Sequence, residues 1–247
     1  MNYFTSKKRV FYSLIALLLL KAAFCFWAIT SGYISLNPDE AQYWTWSRHL
    51  DFGFYSKPPG IAWQIWLGTH LFGHTELGVR CFSVFFSIAT TLVLYYFARI
   101  LKASLEVSFW SAVIHAISPV GLMGALAATT DVGFIFFWSV ALCPLAFALK
   151  KCSPPNYRLI GALVLCGSLF KWPMFAFWGV VLISSLFFRF LWSRQIWQGI
   201  AISLLGFLPS LVWNLKHEFA TFRHVFVQSA VRSSQGNFFD FFGAQFA

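Results

Sequence analysis

Long apolar runs separated by short polar segments set the pattern of this chain. Residues 10–30 and 79–100 are stretches of the roughly twenty residues that a helix needs to cross about 30 Å of hydrocarbon. Further apolar runs at 107–126, 132–149, 159–170, 174–188 and 196–213 predict five more spans, about seven in all. The middle runs are short for a full crossing, and Pro144 and Pro173 interrupt them, so tilted or broken helices buried among neighbours are expected there. The pattern predicts an all-α fold: one polytopic transmembrane helical bundle over residues 1–247. Its long polar first loop, residues 31–78, is expected outside the cytoplasm and carries amphipathic interfacial helices.

The segment 58–73 decides the topology, because a crossing there would move every later loop to the other side. Its apolar stretch is shorter than a full span and is led by prolines. Charge arbitrates. If 58–73 lies in the interface, one side collects Lys7, Lys8 and Arg9, then Arg99 and Lys102, then Lys150, Lys151 and Arg158, then Arg189 and Arg194. That satisfies the positive-inside rule throughout and puts the amino terminus in the cytoplasm. The same choice gathers the 31–78 loop, Asp131, Lys171 and the segment after Asn214 on the outer side.

Composition changes the picture little. The chain is 59% hydrophobic and 11% charged, whereas soluble domains carry roughly 25% charged residues. A net charge of +10 suggests nucleic acid in a soluble protein, but here the basic residues fall between apolar runs, where topology accounts for them. No nucleic-acid partner is expected. The first run follows basic residues as a signal peptide does, yet it is long, contains Lys21 and lacks a small-residue cleavage site, so it reads as a retained helix. Cys25, Cys81, Cys143, Cys152 and Cys166 lack the paired spacing of zinc or redox motifs and read as packing residues.

Candidate chemistry sits in the first loop, which reads Asn37-Pro38-Asp39-Glu40 and continues to Tyr55-Ser56-Lys57-Pro58-Pro59. Pro38 suits a helix start, with Asp39 and Glu40 favourably placed in its first turn. A carboxylate at the membrane surface can alternatively act as a general base toward a hydroxyl or amine. Lys57, before two prolines that fix the backbone, is held at headgroup depth, where it can pair with a phosphate or snorkel toward anionic lipid. Arg80 opens an apolar run and has the same two readings. Asp131 lies between two spans, where a charge is costly unless solvated or functional. His70 and His74 stand four apart in a segment expected to be helical, but two ligands without a third make a weak metal site, and structural histidines are the better reading.

The order Pro38-Asp39-Glu40, Tyr55-Ser56-Lys57-Pro58-Pro59, Thr75-Glu76-Leu77-Gly78-Val79-Arg80, then Asp131 resembles the polyprenyl-phosphate-sugar glycosyltransferases. That superfamily includes dolichyl-phosphate-mannose protein mannosyltransferases and the bacterial aminoarabinose transferase. Pro209-Ser210-Leu211-Val212-Trp213-Asn214, followed by His217, extends the resemblance over most of the chain. It implies Asp39 as catalytic carboxylate, Glu40 beside it in the sugar site, and Lys57, with Tyr55 and Arg80, on the lipid phosphate; Asp131 is a further site candidate. It also implies a multi-pass protein of the inner (plasma) membrane. Its partners would be membrane lipid, a polyprenyl-phosphate sugar donor and a lipid, glycan or protein acceptor. No cofactor is required on this reading; a divalent metal is compatible with it but unsupported by any motif. Members of the family are longer, and residues 238–247 begin another apolar segment, so the chain is expected to be an amino-terminal portion or a shortened member. The competing readings are a transporter or lipid flippase using Asp39, Asp131 and Lys171, and an inactive truncated scaffold.

Overall fold

A computed structural model of the chain describes residues 6–232; the apolar segment at 238–247 lies outside them. The described residues are helical, with no strand among them. Four helices are long and apolar enough to cross a membrane alone: α1 (Lys7–Thr30), α4 (Glu76–Ile100), α7 (Thr130–Lys151), and the continuous pair α10 (Gln195–Leu204) and α11 (Leu208–Lys216) taken as one rod. Between them lie α2 (Pro38–Ser47), α3 (Gly60–Phe72), α5 (Leu105–Ile117), α6 (Pro119–Leu126), α8 (Tyr157–Ser168) and α9 (Phe177–Phe187); α12 (Ala220–Arg232) closes the described chain. The outward surface of α1 carries Leu19, Leu20, Phe26 and Trp27, all exposed, an apolar face suited to lipid rather than water.

The expected span at 107–126 is two helices, α5 and α6, bent by 51° at Ser118 and Pro119. Ser118 is extended, and its hydroxyl accepts from the Gly121 amide to start the second helix, while Pro119 sits in the first turn, where its missing N–H is not needed. Pro144 behaves otherwise than expected. Helix α7 runs through it without a break, because neighbouring helices can accommodate the one lost backbone bond in a packed bundle. The runs at 159–170 and 174–188 do form short elements, α8 and a 3₁₀ turn at Trp172–Ala176 leading into α9.

Packing is tightest where side chains vanish. A Cβ on Gly161 would stand 2.3 Å from the Gly199 carbonyl oxygen, so α8 and α10 meet backbone to backbone. Around this contact Tyr157, Ile160, Val164, Met174, Phe177, Val181 and Ile196 form the main buried cluster.

Long-range contacts sort the helix ends. At one end, Arg80 of α4 reaches the Ile34 and Ser35 carbonyls after α1, Ala128 after α6 meets Glu40 of α2, Gly60 donates to Leu169 after α8, and Thr221 donates to Phe54. At the other end, Val10 and Leu14 pack with Tyr95 and Ala112, Leu145 and Ala148 pack on Leu191, and Arg158 donates to Gln198. The basic clusters at 7–9, 99–102, 150–158 and 189–194 share this second end. Helix α3 starts and finishes at the first end, following α4 only from Gly78 to about Ser83, where Gln64 donates to the Ser83 hydroxyl at 3.3 Å. At 13 residues it is shorter than the helices long enough to cross a membrane alone.

Candidate functional site at one end of the bundle

The first loop is shaped by a capping box. Asn37 Oδ1 accepts from the Glu40 amide at 2.9 Å, Glu40 Oε2 accepts from the Asn37 amide at 3.1 Å, and Pro38 occupies the first turn. Helix α2 then buries Tyr43 against Ile61, Ile65, Val79 and Ala128. Trp46 stacks on Phe54 with ring centroids 4.8 Å apart, which ties α2 to the loop carrying Tyr55 and Lys57.

Glu40 and Arg80 are both 1% exposed at the side chain and bind each other through two parallel bonds, Nε to Oε1 and Nη2 to Oε2, each 2.7 Å. The rest of the guanidinium donates to the Ile34 carbonyl at 2.8 Å and the Ser35 carbonyl at 2.9 Å, and the Ala128 amide donates to Glu40 Oε1 at 2.7 Å. Burial opposes ionisation of Glu40, but the Arg80 bonds and the Ala128 and Asn37 amides outweigh it and hold the carboxyl below its ordinary value. All three Arg80 nitrogens are engaged. A phosphate contact by Arg80 would require this network to open; as it stands, the pair fastens four chain segments together.

Fastening Glu40 leaves its neighbour facing out. Asp39 is exposed, and it sits two residues from Asn37, which lines a cavity of about 330 Å³ among α4, α5, α6 and α7. Asp131 and Thr129 stand on the same cavity, with Ser87, Thr90 and His115 as its other polar lining. Burial, then the charges of Asp39 and Asp131, push the Tyr43 hydroxyl up to about 12. Asp131 is not alone: the Lys171 ammonium contacts its Oδ1 at 2.5 Å in a largely exposed pair.

Lys57 is half-buried and forms no ion pair among the described residues. Its backbone carbonyl accepts from the Phe54 amide at 3.1 Å, and Pro58 and Pro59 are buried behind it. Tyr55 is exposed and its ring packs on His224, 4.5 Å between centroids. His70 and His74 do not share a helix: α3 ends at Phe72, and Gly73 takes a φ of +74° that few other residues adopt. His70 Nδ1 meets the Trp66 carbonyl and His74 Nδ1 accepts from the Trp44 indole. Among the described residues no three of His, Cys, Asp and Glu form a metal-holding group.

Sequence reasoning missed four partners, among them Arg80 on Glu40, 40 positions away. The Asn37 cap was legible, since Asn-x-x-Glu is a capping-box signature. The Lys171 pairing with Asp131 and the Ala128 amide on Glu40 leave no local signal, because they join residues 40 and 88 positions apart.

Fold and site together define a polytopic helical membrane protein with a charged, cavity-bearing site gathered at one end of the bundle. Residues 56–213 match the family of dolichyl-phosphate-mannose-protein mannosyltransferases, and the chain belongs to that family. It is 29% identical over 216 residues to the lipid A galacturonosyltransferase RgtD of Rhizobium johnstonii, covering 84% of this chain and 45% of that one. It is likewise 29% identical over 200 residues to the undecaprenyl phosphate-alpha-4-amino-4-deoxy-L-arabinose arabinosyl transferase of Pseudomonas aeruginosa, covering 72% and 36%. The chain thus spans less than half the length of these curated relatives. No solved structure matches it.

Proposed function

We propose that this chain carries the catalytic end of a glycosyltransferase that moves a sugar from a polyprenyl-phosphate donor to a lipid, glycan or protein acceptor. The observation that carries the reading is the fastening of Glu40 by Arg80 and Ala128, which leaves Asp39 exposed two residues from Asn37, a residue that lines the cavity together with Asp131. Asp39 takes the proton of the acceptor hydroxyl or amine as its oxygen or nitrogen bonds to the anomeric carbon. The bond from that carbon to the phosphate oxygen breaks, and the polyprenyl phosphate leaves with the electron pair. Lys57, which has no carboxylate partner among the described residues, stabilises the growing charge on the phosphate, with Tyr55 beside it. Glu40 and Arg80 position Asp39, and Asp131 acts as a second carboxylate whose charge Lys171 balances.

The family and the two relatives, one named for a lipid A acceptor and the other for an undecaprenyl-phosphate sugar, support this reading. The basic clusters at the opposite end favour an extracytoplasmic site and a cytoplasmic amino terminus. The reaction as written uses no nucleotide and no redox group. Incubating the full-length membrane protein with polyprenyl-phosphate sugars and membrane lipid, and following products by mass spectrometry, tests it. Free polyprenyl monophosphate formed in step with a glycosylated acceptor is the expected result; no turnover of any such donor, or a diphosphate product, would overturn the reading.

A further inference from the structure

Beneath the cavity lies a buried cation that the proposed reaction does not use. Lys21, in the middle of α1, is 5% exposed, and no described carboxylate lies within ion-pair distance of it. Its ammonium donates to Ser87 Oγ at 2.9 Å and to Thr91 Oγ1 at 3.4 Å. Both hydroxyl protons are committed elsewhere, Ser87 to the Gly121 carbonyl at 2.7 Å and Thr91 to the Ser87 carbonyl at 3.0 Å. The two oxygens therefore turn lone pairs toward Lys21, an arrangement suited to a positive charge. His115 Nδ1 meets the same Thr91 hydroxyl at 2.9 Å. Ser87 and His115 both line the cavity, so the charge stands one hydroxyl behind its wall.

An ammonium inside a membrane bundle is expensive unless something answers its charge. Here the described residues supply two hydroxyls and no anion, and the cavity beside them is lined by Asn37 and Asp131. We propose that the transferred sugar carries a carboxylate, which enters this cavity and is read by Lys21. The inference rests on the donor reading above. Ser87 lies seven residues along α4 from Arg80, about 10 Å at helical rise, which sets the cation that far beneath the Glu40–Arg80 level. A sugar with its anomeric carbon near Asn37 and Asp131 can direct its far substituent toward this floor. A cavity of about 330 Å³ is at the size of small-ligand sites and fits a single sugar ring rather than an oligosaccharide. The lipid phosphate is a second possible anion, but Lys57, held in the outer loop, already answers it.

The test is calorimetric affinity of the full-length protein in detergent for three short-chain polyprenyl phosphates carrying a uronosyl, a neutral hexosyl or an aminopentosyl group. Wild type is expected to bind the uronosyl donor about tenfold or more tighter than the hexosyl donor, and the aminopentosyl donor weakest. Lys21→Met removes that preference while keeping hexosyl affinity, and Lys21→Arg keeps the preference. Equal affinity of wild type for uronosyl and hexosyl donors overturns the inference and leaves the donor reading standing, and this arm decides even if Lys21→Met does not fold. An unchanged preference in Lys21→Met also overturns it. So does an equal loss for all three donors, which would assign Lys21 to the phosphate. Binding of none of the three overturns the donor reading as well.

Discussion

Replacing Arg80 by Met separates a structural from a phosphate-binding role. The substitution removes two bonds to Glu40 and one each to the Ile34 and Ser35 carbonyls. It leaves Glu40 buried and charged with only the Asn37 and Ala128 amides as partners. Breaking a buried pair from one side costs about 3–5 kcal/mol, because the remaining charge keeps its desolvation cost and loses its compensation. Two carbonyls deprived of their donor add to the loss. The expected result is a much lower midpoint of thermal unfolding in detergent, and loosening of residues 31–40, read as faster protease cleavage there. The double variant Glu40→Leu with Arg80→Met recovers part of the loss, since no orphan charge remains although the Ile34 and Ser35 carbonyls and the Asn37 and Ala128 amides lose their partners. A stable Arg80→Met protein that has lost only donor affinity would refute the structural assignment.

Other outcomes follow from the same geometry. Lys57→Ala is expected to raise the donor concentration for half-maximal rate roughly 10- to 100-fold with little change in folding, the range of a charge-assisted bond of about 1.5–3 kcal/mol; an unchanged donor dependence counts against the phosphate role. Glu40, whose carboxyl is held below its ordinary value of 4.5, contributes stability that is complete above that value and is lost as pH falls through the depressed one. Thermal midpoints measured down the acid range should therefore fall for wild type, and Glu40→Gln should start lower and fall less. Gly199→Leu, whose Cβ would stand 2.4 Å from the Tyr157 carbonyl oxygen, is expected to lose about 1–3 kcal/mol of stability; a wild-type unfolding midpoint would contradict the close packing of α8 on α10. In a cysteine-free background, single cysteines at 39 and 131 should react with an impermeant reagent on intact cells, and one at 151 should not; the reverse would invert the orientation.

Much of this arrangement is legible in the sequence, and the reason is the solvent. A bilayer requires apolar runs near twenty residues, so α1, α4 and α7 announce themselves, and the basic clusters sort the ends. The bend at Ser118 and the continuity through Pro144 were misread. Apolarity alone does not distinguish a proline in a first turn from one inside a packed helix. At the site, the Asp39-Glu40 pair stood out as adjacent acids, but their division of labour did not. Which carboxylate faces inward depends on Arg80 and Ala128, 40 and 88 residues away. Lys21 shows the same limit, since its meaning comes from Ser87 and Thr91 on another helix.

The central claim is that Asp39, left exposed by its buried neighbour, is the base. Its most direct measurement is the transfer rate of full-length Asp39→Asn at saturating donor, with membrane insertion and unfolding midpoint checked alongside. General-base contributions are typically about 10² to 10⁴, so a loss of that size in a protein that inserts and unfolds like wild type is predicted. A rate within about threefold of wild type would contradict the assignment, because a base that supplies no rate is not the base.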